Sequence, residues 1–294
     1  MQADRSTGRF IQTLARTNGG RGMRGPLGKG EDVMLGIRKE LAVIAAGLLL
    51  SACSDTIEDE RILAKAGGVR EVIGDLGGVP VRVPLEFAKN VEYDDDPAIL
   101  QPRLKPVRVR SYSSRLRSFG FDVRYPDMAG TGSEEARKDR AAHLPGNTFW
   151  ILVGLNAGEH YPGAGSTERL TSSRLGRPEP ATGAPYQLAA EKTCGLDTYV
   201  LTGNDPNGDK PNREHSNAQD VFVGRDAAGN ATTFIQCSNR PLHAAPCKQF
   251  FDLEPQMRAM VYIHYRRGLL CEWRGIQGAT SQLISSFRMS GEIK

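Results

Sequence analysis

The sequence predicts an α+β fold: a largely antiparallel β-sheet domain with a C-terminal helix packed on it and long loops. Residues 119–125 alternate apolar and other side chains, the period-two pattern of a half-buried strand. Residues 220–225 and 231–237 flank a turn at 226–230 and predict a hairpin. Apolar residues recur at three- and four-residue steps over residues 269–287, which predicts a helix with one apolar face.

The other predicted strands follow from shorter patterns. Residues 79–84 alternate but include two prolines, which cannot donate to a sheet, so this strand is expected at an edge. Residues 149–155 are nearly all apolar and predict a central strand. Residues 199–201 and 259–265 predict two further strands.

Polar segments rich in Gly, Pro, Ser and Thr are predicted to be loops. Residues 130–146 indicate an exposed connection, and residues 156–185 indicate a long loop region. Long loops in compact domains are often functional, so this region and the polar loop 203–217 are candidate partner-binding segments.

Residues 34–53 predict a lipoprotein secretion signal. A basic pair precedes an apolar run at 41–50, which ends in the lipobox Leu-Ser-Ala-Cys. The run is shorter than the roughly 20 apolar residues of a membrane-spanning helix, and a short apolar core after a basic start is typical of signal peptides. Cleavage before Cys53 would leave that cysteine lipidated, so we expect the mature chain to be held at a membrane.

The chain therefore divides into four predicted parts. Residues 1–33 are a disordered or over-extended start, 34–52 the lipoprotein signal peptide, 53–75 a lipidated tether, and 76–290 a single α+β domain. Ser54, next to the lipidated cysteine, resembles the sorting position of enterobacterial lipoproteins. That resemblance implies the periplasmic face of the cell envelope, at the outer membrane.

The net charge of +4 belongs to the part that cleavage would remove. Residues 1–53 hold 8 of the 38 Lys and Arg and 4 of the 34 Asp and Glu, so residues 54–294 hold 30 of each. A neutral mature chain has no electrostatic footprint for nucleic acid, which is excluded as a partner.

Four cysteines besides the lipobox cysteine suggest disulfide bonds, because the predicted compartment is oxidising. They allow three pairings. Cys237 and Cys247 would close a short loop, which favours that pair and leaves Cys194 with Cys271. Zinc is disfavoured because neither Cys-x-x-Cys nor a paired-His spacing occurs.

Catalytic and metal-binding motifs are missing from the sequence. It contains no nucleophile elbow, zinc helix motif or phosphate loop. Asp205, Asn207 and Asp209 match three ligand positions of a calcium loop, but Lys210 and Ser216 stand where Gly and Glu are required. We therefore predict no enzyme, no cofactor and no metal site.

Several segments together resemble a known family. These are the lipobox, residues 78–84, 118–121 with 125–128, 213–215 ahead of 220–223, and 265–270 with Glu272 and Trp273. They resemble type VI secretion immunity lipoproteins, which protect against phospholipase effectors.

The resemblance implies a membrane-anchored periplasmic protein that binds and neutralises a secreted phospholipase. Tyr161, Tyr186 and Arg213 are its candidate partner-binding residues, since such residue types dominate interface hot spots. A structural or envelope-assembly lipoprotein without a toxin partner, or a small-ligand-binding lipoprotein, remains the alternative.

Overall fold

The computed structural model describes residues 71–97, 109–142, 149–180, 182–205, 208, 210–240 and 245–289. The predicted N-terminal extension 1–33, the signal peptide 34–52, Cys53 and most of the tether lie outside the described residues.

The described chain begins with a small hairpin of its own. Strands β1 (Glu71–Asp75) and β2 (Pro80–Pro84) pair antiparallel, as a two-stranded sheet. Gly77 and Gly78 turn the chain with φ of +62° and +94°, a backbone region that favours glycine. The predicted tether ran to residue 75, but its last five residues are strand β1, because Val72 and Ile73 are buried in the fold.

Within the described residues, nine strands form one antiparallel sheet. Its strands are β3 (Lys89–Tyr93), β4 (Leu116–Arg124), β5 (Trp150–Asn156), β6 (Tyr186–Leu188), β7 (Asp197–Leu201), β8 (Gln219–Arg225), β9 (Ala231–Ser238), β10 (Pro246–Asp252) and β11 (Met260–Arg266). Their spatial order is β3-β4-β5-β11-β10-β9-β8-β7-β6. The predicted fold class is confirmed, including the hairpin β8–β9.

A C-terminal helix, α3 (Trp273–Ser286), packs on one face of the sheet, as predicted. It follows a 3₁₀ turn, Arg267–Glu272, and buries Trp273, Ile276 and Ile284 in the main core. Phe287, just beyond the helix, stacks on Phe87 with ring centroids 5.6 Å apart. Apolar burial at roughly 25 cal/mol per Å² is therefore the main force that holds α3 on the sheet.

A buried polar network fixes where α3 sits. Gln249 of β10 is fully buried, and its Nε2 donates to Gln277 Oε1 of the helix at 2.9 Å. Tyr265 donates its hydroxyl to Gln249 Oε1 at 2.9 Å, and Thr233 donates to Gln277 Oε1 at 2.8 Å. An unmade hydrogen bond here would leave a buried polar atom unsatisfied, which costs roughly 1–3 kcal/mol, so the network penalises any shift of the helix.

The segment 130–146, predicted as an exposed connection, contains a helix, α1 (Glu134–Ala142). Ser133 caps its start by accepting the Ala136 N–H at 3.0 Å, and two glutamates occupy the first turn. These are standard helix-start signals. They were overlooked because α1 has no buried residue and therefore no apolar stripe in its sequence.

The region 156–185, predicted as a long loop, also contains a helix, α2 (Ser166–Leu175). Its buried residues are Ser166, Thr167 and Thr171, so the stripe that faces the protein is polar in the sequence. Asp252 of β10 stabilises the helix start, where it accepts the Thr167 N–H at 3.1 Å and the Ser166 hydroxyl. This partner lies more than 80 residues away, so local sequence could not reveal it.

The two glycines of α3 test how closely the helix is packed. A methyl group at Gly278 would meet no atom within 4 Å, whereas one at Gly275 would overlap the Tyr125 hydroxyl. We expect Gly278→Ala to raise the free energy of unfolding by roughly 0.5–1 kcal/mol, the helical preference of Ala over Gly. Gly275→Ala, the matched control, should give no gain or a loss. Urea denaturation measures both, and equal stabilisation would contradict the packing of Tyr125 on α3.

Candidate partner-binding surface

The three predicted partner-binding residues lie in different surroundings. Tyr161 follows the 3₁₀ turn Gly158–His160 and is half-buried in a cleft with Arg258. Tyr186 is only 9% exposed. It packs in a second hydrophobic cluster, apart from the main core, with Leu201, Val221 and Phe234. Arg213 is engaged with Asp220, at 3.0 Å between Nη2 and Oδ2. Among the described residues the structure does not join these three into one surface.

The described part of the chain contains two disulfide bonds, and they join the pairs that the sequence favoured. Cys237 and Cys247 face each other across β9 and β10, with Cα atoms 4.0 Å apart. Cys194 joins Cys271 with Cα atoms 5.0 Å apart, which ties the β6–β7 connection to the turn before α3. Both bonds restrain the sheet and its covering helix.

Helices α1 and α2 lie on the sheet face opposite α3, α1 over β4 and β5 and α2 over β9 and β10. Arg140 of α1 donates to Asp122 of β4 at 3.2 Å, and Trp150 of β5 donates its indole N–H to Asp139 of α1 at 2.8 Å. Leu170 of α2 packs on the second hydrophobic cluster, which includes Phe234 of β9. Strand registers place these sheet contacts on the face turned away from α3.

Between the two helices the middle of this face is uncovered by the described residues. We call this surface the open face and define it by Leu152 of β5, Lys248 and Phe250 of β10, and Tyr262 and His264 of β11. His264 lies in register with both Leu152 and Lys248, and Tyr262 lies in register with Phe250. Leu152 is 41% exposed, and the other four side chains are half-buried.

Two more side chains extend the open face at one end. Arg266 of β11 places its guanidinium carbon 4.8 Å from the ring centroid of Phe149, which is 51% exposed. Among the described residues, the Nε of Arg266 finds no hydrogen-bond partner. Two of the four large apolar side chains that are exposed in the described part of the chain therefore lie on this surface, Phe149 and Leu152.

A glycine pair lets an aromatic ring lie flat in the open face. Gly154 of β5 pairs with Gly120 of β4 on one side and with Tyr262 of β11 on the other. A side chain at Gly154 would overlap the Tyr262 ring, so only glycine leaves room for it. Tyr262 then contacts Phe250 and His264, with ring centroids 6.4 and 5.9 Å away.

Lys248 is the charged centre of this aromatic surface. Its Nζ lies 4.8 Å from the Phe250 ring centroid and 4.7 Å from that of Tyr262, within cation–π range. No described carboxylate forms an ion pair with it, and desolvation by burial lowers the pKa of its ammonium. The face thus holds a partly desolvated cation without a counter-charge.

Burial also shifts the pKa values of the two neighbours of Lys248. Desolvation, and then the charge of Lys248, lowers the pKa of His264 from 6.5 to about 4. Desolvation, and then the carboxylate of Glu92, raises the pKa of Tyr262. At neutral pH both side chains are uncharged, so Lys248 and Arg266 supply the charge of the open face.

The open face and its extension contain residue types that are enriched in protein interfaces. These are the aromatic residues Phe149, Phe250 and Tyr262, and Arg266. No group of three or more His, Cys, Asp or Glu in the described segments is placed to hold a metal ion. Within the same segments, no helix is long and apolar enough to cross a membrane.

The sequence did not reveal the open face because strand β10 was missed. In β10 the buried residues Cys247, Gln249 and Phe251 alternate with Lys248 and Phe250. Both sets mix polar and apolar types, so no period-two contrast is visible. The available signal was the adjacent strand β11, whose Tyr262 and His264 alternate with buried aliphatic residues.

Comparison with known proteins gives little further information. No family model matches the chain, and no curated protein matches it. The chain is similar to a solved structure described as Smlt3025, an immunity protein of the Stenotrophomonas maltophilia type IV secretion system. The match has 17% identity and a TM-score of 0.47, and covers 79% of this chain and 100% of that one. A likeness at this level decides neither family nor function.

The shifted pKa of His264 predicts a pH dependence of stability. Between pH 6.5 and about 4, histidine in the unfolded chain takes up a proton that the folded protein disfavours. The free energy of unfolding should therefore fall as pH decreases through this window, and His264→Gln should make the fall shallower. Denaturant titrations of the wild type and His264→Gln at several pH values measure the difference between their free energies of unfolding. Parallel profiles from pH 7 to pH 4 would contradict the burial of His264.

Proposed function

We propose that this protein is a lipid-anchored periplasmic immunity lipoprotein that binds and neutralises a phospholipase effector of a type VI secretion system. The open face carries this proposal. Tyr262 and Arg266 are half-exposed there on the sheet, and tyrosine and arginine are residue types that binding hot spots favour. A neutralising protein needs such a surface and needs no catalytic group of its own.

The size of the open face fits a protein partner that also touches the flanking helices. Three strands at about 4.8 Å spacing and about 7 residues of 3.3 Å each give an area of roughly 300–350 Å². A stable complex buries about 800 Å² on each partner. The remaining area would come from α1 and α2, which border the face on both sides.

Lipidation at the predicted lipobox would place the protein where a phospholipase acts. Lipidation at Cys53 would hold it on the periplasmic side of the envelope, and we place it at the outer membrane from the residue that follows. The two disulfide bonds are compatible with that oxidising compartment. The sequence segments that resemble the immunity lipoproteins, among them residues 118–121 in β4 and 265–270 at the end of β11 and in the 3₁₀ turn that follows, supply the link to type VI phospholipases.

The first test is protection of living cells. A phospholipase encoded beside this protein is exported to the periplasm of a susceptible bacterium, with and without the full-length chain. We expect the chain to restore viable counts, and we expect residues 54–294, exported without the lipid signal, to protect as well when abundant. No protection, with both proteins present and folded, would refute neutralisation of that phospholipase and favour the envelope-assembly alternative.

A matched pair of variants assigns the protection to the open face. Leu152 and Leu188 are both exposed strand residues, at 41% and 61%, but only Leu152 lies on the open face. Leu152→Arg should abolish protection because it places bulk and charge in the contact surface, whereas Leu188→Arg should retain it. Equal protection by the two variants would show that the partner binds elsewhere.

A further inference from the structure

Three carboxylates on this face of the sheet, on β3, β4 and β10, are engaged with other groups. Asp122 holds Lys89 at 2.8 Å and Arg140 at 3.2 Å. Glu92 accepts the Ser118 hydroxyl at 3.0 Å. The Asp252 carboxylate accepts from the start of α2. The ammonium of Lys248 therefore contacts the rings of Phe250 and Tyr262, and no described carboxylate neutralises its charge.

This arrangement differs from an ordinary surface lysine. Such a side chain extends its ammonium into water, where the charge is solvated. Here the strand register places Lys248 between Gln236 and His264, and its ammonium lies over the rings of Phe250 and Tyr262. Partial desolvation makes a lysine ammonium a stronger electrostatic partner for an incoming anion, because the local dielectric is low.

The charge of the surface specifies the chemistry of its occupant. Arg266 adds a second cation that forms no ion pair in the described structure, two residues beyond His264 on the same strand face, about 7 Å along the strand. Leu152 and Phe149 add exposed apolar area beside the two cations. An occupant that complements this face must present a carboxylate together with apolar surface, as an acidic protein segment does.

We propose that the open face recognises its protein partner by receiving an Asp or Glu side chain of that partner on the Lys248 ammonium, between the rings of Phe250 and Tyr262. The identity of the partner rests on the proposed function, whereas the carboxylate site rests on the geometry of the face alone. The rings hold the lysine in place, so the ion pair forms with little loss of side-chain freedom. The partner's apolar residues then cover Leu152 and exclude water from the pair.

The test uses four forms of the full chain: wild type, Lys248→Met, Lys248→Arg and Lys192→Met. Methionine keeps the apolar stem and removes the charge, and arginine keeps the charge. Lys192 lies between β6 and β7, is 67% exposed and pairs with Asp197, so it is the matched control for loss of a lysine. Circular dichroism and thermal melting establish that each form is folded. If the methionine form is not, Lys248→Gln takes its place.

A peptide library identifies the occupant without reference to any phospholipase. Random peptides displayed on phage are selected on the wild type and counter-selected on Lys248→Met. We expect the recovered peptides to be enriched in Asp and Glu and to bind Lys248→Met about tenfold or more weakly, since truncating one member of a desolvated pair is costly. The arginine and Lys192→Met forms should bind them like the wild type.

Three results would overturn the proposal. Recovered peptides without acidic enrichment would do so, as would equal binding of acidic peptides by wild type and Lys248→Met. Phosphatidylglycerol vesicles that bind the wild type but not Lys248→Met, without any acidic peptide selected, would assign the site to a lipid phosphate.

Binding of the neighbouring phospholipase to the wild type and to Lys248→Met then distinguishes failure of the carboxylate site from failure of the proposed function. If acidic peptides bind as expected and the phospholipase does not bind the wild type, the carboxylate site stands and the proposed function fails. If the phospholipase binds wild type and Lys248→Met equally, the proposed function stands and the carboxylate site fails. If the phospholipase binds the wild type and only Lys248→Met loses this binding, the result supports both the carboxylate site and the proposed function.

Discussion

A β-strand directs alternate side chains to opposite faces of its sheet, and this constraint governs the whole structure. Nine strands create two faces, each about 38 Å wide at 4.8 Å per strand spacing. One face is covered by α3, the β1–β2 hairpin and the segment after α3. This segment is joined to the hairpin by a hydrogen bond in which the Phe287 carbonyl accepts the Arg82 N–H of β2. On the opposite face, the described segments place only α1 and α2. Helices about 10 Å wide cover about two strands each, so these segments leave the strands between α1 and α2 open.

Polar groups on the sheet determine where each helix lies. Helix α1 has no buried residue and depends on Asp122 and Trp150, and α2 depends on Asp252 at its start. Helix α3 has an apolar face, and Gln249 adds a hydrogen-bonded position to it. Buried polar contacts are specific because their loss leaves unsatisfied groups, whereas apolar contact tolerates sliding. The borders of the open face therefore follow from a few named side chains.

The sequence predicts the elements whose pattern is local and misses those whose support is distant. The β8–β9 hairpin and α3 were predictable because a turn signal and an apolar period lie within the segments themselves. Helix α2 was not, since its N-terminal partner Asp252 is remote in sequence and its buried face consists of Ser and Thr. The sequence could not show how the candidate residues are arranged, because Tyr186 packs in the fold and the exposed Arg213 pairs with Asp220, and neither fact is visible from residue type. The rings around Lys248 come from β10 and its neighbour β11, so they meet only when the strands pair.

Side-chain footprinting of the complex tests the central claim, that the open face is the partner-binding surface. Hydroxyl-radical labelling of the protein is compared with and without the neighbouring phospholipase and read by mass spectrometry. The account predicts that labelling of Phe149, Phe250 and Tyr262 falls on binding, while Tyr112, which accepts a hydrogen bond from Arg82 beside the β1–β2 hairpin, is unchanged. Protection centred on Tyr161, with the three open-face aromatics labelled as in the free protein, would contradict it.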